Sequence, residues 1–583
     1  MGGPTQGPFH AARAMLTALQ YHESTKHFFN RFARSLGYLD WATQPDPFRR
    51  YDGAPLIELA RSPLCFDVPY AALFDDRVTA ASFSDEAVAD FLRCSMGLSA
   101  WKQYQRARWA LRVNPSSGNL HPTEAYVVRD GRVCHYAPRE HALEARTQLS
   151  PAAWQIFTGG RPGLLVALTS ILWREAWKYG ERAFRYCQHD TGHAIAALRL
   201  SAARLGWRMT LLPRWGDAEI ASVLGLDRDG DYGDAEREEP ECLAVVTAGD
   251  VAPWCDADPA VLIEAARTAR WYGTANQLSR NHVEWPVIDE VAEATRRASG
   301  ERGTGSGEQR AGNGDAVASR LSLGEPSRLP LPVPHPPNAR QIILQRRSAV
   351  AFDGKSNLPK ETFLAMLDRL QPSAPPWDAI DWPPQVHLLL FVHRVDGLMP
   401  GVYAYFRDET TVDEWRTAMR QEFLWEPVGH LTANALNART SNASDPNGPN
   451  DPNVANRARL FFLLPTDVTW AANRASCDQD IAADGFFSLG MIARFEPALR
   501  AHGEWFYRRL FWESGLIGQV LYLEAEAAGA RATGIGCFYD DAVHDLAGLS
   551  GNAWQSLYHF SMGMPVDDER LTSEPGYSWE AAP

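Results

Sequence analysis

The sequence predicts an α+β protein in which one structural unit occurs twice along the chain. Both halves contain a strand–turn–strand pattern, then a long helix, then a short helix and a closing strand. The two long helices, 190–207 and 513–530, align so that Gly192 falls on Gly515. Two copies on one chain commonly pack as an internal pseudo-dimer that shares a site between them. That arrangement is predicted here, with two independent domains as the alternative.

Each predicted element has a counterpart in the other copy. Ser84 is the expected N-cap of the first amphipathic helix, since its hydroxyl can accept from the free N–H groups of the first turn. A continuous apolar run, 163–173, predicts a buried strand. The other paired elements are helices 84–97 and 359–370, hairpins 124–138 and 386–406, short helices 217–226 and 541–549, and closing strands 242–249 and 557–563.

Polar and proline-rich stretches divide the chain. Residues 296–320 are rich in Gly, Ser and charge, residues 326–338 are rich in Pro, and residues 437–457 form a polar insertion in the second copy. The predicted domains are an N-terminal helical extension (1–50), a first domain (51–290), a flexible linker (291–338) and a second domain (339–583).

The bulk composition bounds the class of protein. A hydrophobic fraction of 45% is ample for sizeable cores, so the chain is globular. The net charge of −14 argues against a nucleic-acid partner or an anionic membrane surface, because both attract basic proteins. The cysteines form no Cys-x-x-Cys pair and no signal-peptide pattern opens the chain. These features predict a reduced, cytoplasmic protein without a cysteine-framed metal site.

Histidine spacing does not predict a metal site either. His189 and His193 lie four residues apart on a helix, a spacing that can bind zinc, but no third ligand is evident. His22 and His27 are five residues apart, which suits one helical face poorly, and they are interpreted as structural.

The two copies differ at a basic turn. Arg346, Arg347 and Ser348 precede a helix of the second copy, where two guanidinium groups and a hydroxyl could hold a phosphate. The matching position of the first copy, 71–74, reads AALF and has no such groups. A solvated basic turn is the alternative interpretation.

Two further differences are complementary. The turn PSSGN (115–119) offers N–H groups, hydroxyls and an amide, which suit the edge of a flat heteroaromatic ring. The matching stretch of the second copy, 375–385, lacks this turn. The second copy keeps glycines in GIGC (534–537), where backbone can approach a ligand, and the first copy has LLPR (211–214). Each copy therefore keeps one half of a site, although the turn alone could be a plain loop.

Five segments together resemble a known family. They are PSSGNLHPTEAYVV (115–128), KYGERAFRYCQHDTGHAIAALRLSAARLGW (178–207), QRRSAVAF (345–352), ATGIGCFYDD (532–541) and SMGMPVDDERL (561–571). They resemble the nitroreductase-like flavoproteins, in the tandem form of the SagB-type (McbC-like) dehydrogenase branch, and residues 21–48 also look typical of that branch. The resemblance covers most of the chain outside the linkers. It implies two tandem nitroreductase-like domains that form the pseudo-dimer.

The resemblance also implies FMN in a cleft between the copies. The residues that it places on the cofactor are Arg346, Arg347, Ser348 and Arg570 at the phosphate, Gly534, Gly536 and Cys537 along the reactive ring edge, and Pro115, Ser116, Ser117 and Asn119 from the other copy. Cys537 could be redox-active there, although a small residue against the ring is the commoner interpretation. Because each half-site occurs once, a single flavin cleft is expected.

A Lys-Tyr pair serves azoline oxidation near the flavin in the branch that the chain resembles. Lys178 and Tyr179 match this pair, whereas the second copy has Ala501 and His502 at these positions. The resemblance therefore implies that Lys178 and Tyr179 are catalytic and act in the single cleft. A solvated helix start is the alternative.

The implied function is an FMN-dependent oxidoreductase that transfers a hydride between a small organic or peptide-derived substrate and FMN. An NAD(P)H-dependent reductase of nitro or quinone compounds is the first alternative, and a non-enzymatic flavin-binding partner protein is the second. NAD(P)H stays open as a partner, as does a homodimer of the pseudo-dimer. Nucleic acid and membrane are not expected partners.

Overall fold

Each copy is built on an antiparallel sheet. The computed structural model describes residues 18–61, 68–75, 78–300, 337–428 and 459–580. The strands of the first copy are β1 (Tyr51–Asp52), β2 (Leu56–Glu58), β3 (Leu98–Tyr104), β4 (Ala107–Arg112), β5 (Thr123–Arg129), β6 (Arg132–Ala137), β7 (Ala142–Gln148), β8 (Leu164–Ser170), β9 (Arg208–Leu211), β10 (Glu239–Thr247) and β11 (Thr274–Ala275). Those of the second copy are β12 (Val386–Val392), β13 (Gly401–Tyr405), β14 (Glu426–Pro427), β15 (Leu460–Pro465), β16 (Phe487–Arg494), β17 (Arg531–Ile535), β18 (Trp554–Gly563) and β19 (Thr572–Pro575).

The two main sheets have seven strands each and the same topology. Their strand orders are β2-β7-β6-β5-β8-β10-β9 and β14-β15-β13-β12-β16-β18-β17, and six strands correspond in position and chain order. The edge strands differ, because β2 precedes the rest of its sheet in the chain, whereas β14 lies between β13 and β15. The hairpin β5–β6 matches β12–β13, and the central strands β8 and β10 match β16 and β18. Every residue of β8 and β10 is buried, which explains the unbroken apolar runs LLVAL in β8 and CLAVV in β10 where a half-exposed strand would alternate. The predicted duplication is confirmed.

Helices cover the sheets and fill the space between the copies. In the first copy they are α1 (Asp85–Arg93), α2 (Pro151–Thr158), α3 (Leu172–Tyr179), α4 (Ala183–Arg204), α5 (Asp217–Leu224), α6 (Ala252–Cys255), α7 (Ala260–Thr268) and α8 (Pro286–Ala294). In the second copy they are α9 (Ala339–Gln345), α10 (Lys360–Asp368), α11 (Val412–Ala418), α12 (Thr469–Ala475), α13 (Ile481–Asp484), α14 (Phe495–His502), α15 (Phe506–Ala527) and α16 (Ala542–Ala547). Residues 18–24 are also helical.

The long helices α4 and α15 pack against each other at the centre of the molecule. A Cβ atom on Gly192 would lie 2.2 Å from the backbone oxygen of Trp512, and one on Gly515 would lie 2.3 Å from that of His189. Only glycine permits so close an approach of two backbones. The aligned glycines therefore mark the point where the two copies cross.

The predicted elements are present, with shifted ends. Ser84 caps α1, because its Oγ accepts from the N–H of Ala87 at 3.2 Å. The helices α4 and α15 begin at Ala183 and Phe506, seven residues earlier than expected in each copy (190 − 183 and 513 − 506). Nearly all of their residues are buried, so the polar/apolar alternation that predicts a helix boundary is absent.

Exchanged segments also join the copies. β19, near the end of the chain, pairs with β3 of the first copy, with Thr572 opposite Gln103. The buried Arg93 forms an ion pair with Glu580 at 2.5 Å. Because the two copies share a sheet and a helix interface, the chain folds as an intrachain pseudo-dimer, and the alternative of two independent domains is wrong.

Several predicted features fall outside the described residues. They include residues 301–336 of the predicted linker and the whole of the polar insertion (437–457). The predicted start of the linker at residue 291 lies within α8. Among the helices that the structure describes, none is long and apolar enough to span a bilayer.

Candidate active site in the cleft between the copies

The first part of the candidate site is the turn that follows β4. Residues Ser117–Asn119 form a 3-10 turn in which Gly118 and Asn119 have φ angles of 59° and 60°. Ser116 Oγ accepts from the backbone N–H of His121 at 2.7 Å, and the Asn119 amide donates to the backbone of β4 at 2.9 Å. These bonds fix the turn from both sides.

Asp190, on α4, anchors this turn. Its carboxylate accepts from the Ser117 N–H at 3.0 Å and from Ser117 Oγ at 3.1 Å. Burial raises the pKa of Asp190 to about 7, although hydrogen bonds from Ser116 and Ser117 oppose that shift. Pro115, at the start of the turn, is buried. Asp190 was not singled out from the sequence. Its only signal there is that an acidic residue stands at the start of a predicted helix that is otherwise largely apolar.

The pKa of Asp190 predicts a pH-dependent contribution to stability. The folded-state pKa is about 7, whereas that of an unfolded aspartate is about 3.9. Between these values the folded state keeps a proton that the unfolded state has released, so the free energy of unfolding falls as pH rises through this window and then levels off. Asp190→Asn removes this fall, which urea unfolding at several pH values between about 4 and 8 measures.

The exposed control variant Asp413→Asn keeps the wild-type dependence of unfolding on pH. If Asp190→Asn and wild type show the same dependence, the carboxyl of Asp190 does not titrate in this window.

Lys178 and Tyr179 lie directly against the turn. A Cβ atom on Gly118 would lie 2.6 Å from Tyr179 Oη and 3.1 Å from Lys178 Nζ. Both residues end α3, and Lys178 is half-buried. Burial raises the pKa of Tyr179, and the nearby carboxylate of Glu175 adds to the shift. The structure therefore brings the predicted catalytic pair to the predicted cofactor turn.

Arg346 has an unusual environment for a buried cation. Its side chain is 3% exposed, its Nε has no hydrogen-bond partner and its Nη2 donates to the backbone oxygen of Arg112 at 3.2 Å. Within the described ranges, no carboxylate forms an ion pair with Arg346. Burial lowers its pKa. A buried, unpaired guanidinium is costly unless an anion neutralises it, so the site fits an anionic ligand.

Arg347 and Ser348 have different roles from Arg346. Arg347 donates to the backbone oxygens of Leu344 at 2.8 Å and Ser99 at 3.0 Å, so it joins α9 to the first copy. Burial, with the neighbouring charge of Arg346, lowers the pKa of Arg347 to about 10. Ser348 is exposed, and its Oγ lies 3.0 Å from the Oη of Tyr522.

The basic region extends to residues that the sequence did not point to. Lys102, on β3 of the first copy, is half-buried, and its pKa is lowered by burial and then by the charges of Arg531 and Arg347. By contrast, Arg570 is exposed and its guanidinium forms two hydrogen bonds with Asp568, at 2.8 and 2.7 Å. The structure thus places Lys102 with the predicted phosphate residues, whereas the donors of Arg570 already face a carboxylate.

The predicted glycines lie against aromatic side chains. A Cβ atom on Gly534 would lie 1.9 Å from Tyr558 Oη, and one on Gly536 would lie 2.2 Å from Cε1 of Tyr186. Tyr186 belongs to α4 of the first copy and donates to the backbone oxygen of Gly536 at 3.1 Å. The Gly534 N–H donates to the Oη of Tyr522 at 2.9 Å. Gly536 therefore allows the two copies to meet here, whereas Gly534 packs within the second copy.

Cys537, beside these glycines, contacts a second thiol. Its Sγ lies 3.1 Å from that of Cys477 and 3.8 Å from Nδ1 of His27. The hydrogen bond with Cys477 holds the pKa of Cys537 below its usual range, with a further contribution from His27. Cys477 lies sixty residues away in sequence (537 − 477), so no local motif announces the pair.

The pseudo-symmetric second cleft is filled. The Arg509 guanidinium lies over the rings of Trp382 and Trp505, with its Cζ 4.6 Å from each ring centroid, and the Cζ of Arg297 lies 4.7 Å from the centroid of Trp505. A cavity of about 20 Å³ remains beside these groups, and Leu211 is part of its lining. This volume holds about one water molecule.

A large cavity lies elsewhere in the described chain. It measures about 1420 Å³ and is lined by α3, α5 and α8, with many carboxylates such as those of Glu236, Glu239 and Glu293. Its lining includes neither the Arg346–Ser348 turn nor the glycines of β17. Because its acidic lining repels phosphate, the cavity does not suit a nucleotide cofactor.

Comparison with known proteins identifies the family. The model of the nitroreductase family matches residues 84–235 and 343–564, one segment in each copy. The chain belongs to the nitroreductase family. Flavin binding is general in this family. A solved structure of a putative nitroreductase from Anabaena variabilis is 21% identical, covers 94% of this chain and 99% of its own, and superposes with a TM-score of 0.62. It therefore shares the tandem fold.

Two other relatives match smaller parts of this nitroreductase-family chain. A putative nitroreductase of Methanocaldococcus jannaschii is 31% identical over 125 residues, 19% of this chain, and the match spans 63% of the relative's length. The E. coli microcin synthetase McbBCD complex with truncated pro-MccB17 bound is 17% identical over 42% of this chain and 96% of its own, with a TM-score of 0.24. That score is too low to inform either fold or function.

Proposed function

We propose that the chain is an FMN-dependent oxidoreductase of the SagB-type dehydrogenase kind, with one flavin cleft made from both copies. The observation that supports it is the convergence of the complementary half-sites. Arg346 of the second copy donates to the backbone at Arg112, three residues before the turn that starts at Pro115. Tyr186 of the first copy packs on Gly536 of the second. Neither copy has both halves of the site.

The residues of the cleft suit the parts of FMN. Arg346 and Lys102 offer positive charge for the phosphate, and the hydroxyl of Ser348 offers a further donor. The ring-facing groups would be the Ser117–Gly118 turn from one side and Gly534 from the other. When bound, the flavin supplies a hydride acceptor at N5.

The Lys-Tyr pair has a place in the proposed reaction. Oxidation of an azoline removes a hydride and a proton from the substrate. Lys178, half-buried at the end of α3 and against Gly118 of the turn, would take the proton, and Tyr179 would orient the substrate beside it. The buried Glu175 lies near both, and burial, followed by the charge of Asp190, raises the pKa of its carboxyl.

The competing function is an NAD(P)H-dependent nitro or quinone reductase, since the relatives with the clearest matches carry nitroreductase names. Anaerobic mixing of the flavin-loaded protein with NADH, NADPH or a thiazoline-containing peptide separates the two. We expect the peptide to bleach the flavin. Bleaching by NAD(P)H alone would favour the reductase, and bleaching by none of the three would favour a non-enzymatic flavin protein.

Flavin stoichiometry follows from the filled second cleft. Purified protein saturated with FMN is expected to carry one FMN per chain, because the Trp–Arg stack occupies the other cleft. Equilibrium dialysis with absorbance of the released flavin measures this ratio. Two tightly bound flavins per chain, or bound FAD in place of FMN, would contradict the proposal.

A further inference from the structure

Two thiols and one imidazole, side chains that can bind a metal ion, come together beside the cleft from distant parts of the chain. His27 Nδ1, Cys477 Sγ and Cys537 Sγ all lie within 4.8 Å of one another. His27 belongs to the N-terminal segment, Cys477 follows α12 and Cys537 follows β17. Sequence spacing alone had suggested that His27 is structural and that no metal site exists. The fold places it beside two thiols.

The backbone around these donors is tied together. The N–H of His27 donates to Asp540 at 2.8 Å, and the N–H of Asp540 donates back to the oxygen of His27 at 3.1 Å. The Gln479 amide donates to the backbone oxygens of Ser476 at 2.7 Å and Cys537 at 3.0 Å. The three donors are therefore held in place by contacts that do not use their own side chains.

The turn that presents Cys477 is strained. Cys477 has a φ angle of 55° and Asp478 one of 58°, a left-handed conformation that non-glycine residues rarely adopt. Such strain persists when the surrounding structure imposes it, and it is commonest at functional sites. Here it directs the Cys477 thiol toward Cys537.

The distances suit a tetrahedral zinc ion. With zinc–sulfur bonds of about 2.3 Å and zinc–nitrogen bonds of about 2.0–2.1 Å, the two sulfurs would lie about 3.8 Å apart and sulfur and nitrogen about 3.6 Å apart. The observed separations are 3.1 Å and 3.8 Å, so a shift of under about 1 Å accommodates the ion. Two thiolates and a neutral imidazole also balance the charge of Zn²⁺.

We propose that His27, Cys477 and Cys537 form a zinc site whose fourth coordination position is open to water or to a donor atom of a bound substrate. Both thiols are partly exposed, so an ion can enter, while His27 is only 8% exposed. Two cysteines, one histidine and an exchangeable ligand form a known type of catalytic zinc site. The proposal concerns the metal alone and does not rest on flavin binding.

The test is metal binding by the full-length, flavin-loaded protein after reduction with a phosphine. Equilibrium dialysis against Zn²⁺ is expected to give one zinc per chain. Cys477→Ser and His27→Gln each remove a direct ligand and should weaken binding by more than about 100-fold, the upper range for loss of an outer-shell partner. Cys255→Ser is the matched control, because Cys255 is also half-buried but lies in the first copy, away from these ligands. This variant should bind zinc as wild type does.

Cobalt supplies a second readout that reports the ligands. Co²⁺ in this site is expected to show thiolate-to-metal charge-transfer bands and intense tetrahedral bands on the red side of flavin absorption, both lost in Cys477→Ser. The proposal is overturned if the reduced wild type binds no more zinc than the Cys477→Ser/Cys537→Ser double variant, or if bound Co²⁺ lacks the thiolate bands. Zinc-free reduced protein with a readily formed Cys477–Cys537 disulfide would assign the pair to thiol redox chemistry instead.

Discussion

Replacing Lys178 with alanine is expected to slow flavin reduction by a thiazoline-containing peptide by about 10²–10⁴-fold, the usual contribution of a general base. FMN should stay bound, because Lys178 lies at the end of α3 beside Gly118, whereas the phosphate is assigned to the basic end of the cleft at Arg346. Reduction by NAD(P)H, if it occurs, requires no such base and should be unchanged. Anaerobic stopped-flow absorbance with each donor measures the effect.

Lys178→Arg distinguishes a base from a positive charge. An arginine keeps the charge but cannot release its proton in a protein. It should therefore be as slow as the alanine variant, and Lys360→Ala, at the partly exposed start of α10 in the second copy, should behave as wild type. Equal losses with peptide and NAD(P)H would show that Lys178 only shapes the pocket. Recovery of the rate in Lys178→Arg would show that its charge, not its proton transfer, is what matters.

Replacing Arg346 with methionine, which keeps an unbranched apolar stem but removes the guanidinium, is expected to weaken FMN binding by about ten- to a hundredfold. A hydrogen bond to a charged group contributes about 1.5–3 kcal/mol, and about 1.4 kcal/mol is tenfold in affinity. Quenching of FMN fluorescence on binding measures the dissociation constant. Arg500→Met, which removes an exposed arginine on α14, should leave affinity unchanged.

Arg346→Met is expected to weaken FMN binding without lowering the stability of the flavin-free protein. Because Arg346 is buried and forms no ion pair with a carboxylate in the described part of the chain, its replacement by an apolar side chain removes a charge that burial disfavours. The flavin-free Arg346→Met protein should unfold at the same or a higher urea concentration than wild type. A large loss of stability without flavin would mean that Arg346 is a structural residue and that its effect on FMN is indirect.

The duplicated fold could be predicted because its signals are local. The hairpin turns, the N-cap at Ser84 and the aligned Gly192 and Gly515 all lie in short stretches of sequence. The complementary half-sites could be predicted for the same reason, since Arg346 and the Ser117 turn are each absent from the other copy.

The remaining residues of the cleft could not be predicted, because they depend on how the copies cross. Tyr186 and Asp190 belong to a helix that is buried on all faces, so neither periodicity nor exposure marks them. Lys102 reaches the basic end of the cleft only because β3 pairs with β19 from the far end of the chain. Cys477 and His27 meet Cys537 through long-range contacts that no spacing rule anticipates.

The central claim is that one flavin cleft is built from both copies, and the FMN affinity of Ser117→Ala tests it most directly. Ser356→Ala is the matched control, since Ser356 also donates to an aspartate through both its N–H and its Oγ, but in a turn of the second copy away from the cleft. We predict that Ser117→Ala weakens FMN binding by up to about tenfold and that Ser356→Ala does not. An unchanged FMN affinity in Ser117→Ala, together with its loss in Arg346→Met, would contradict the shared cleft and assign the flavin to the second copy alone.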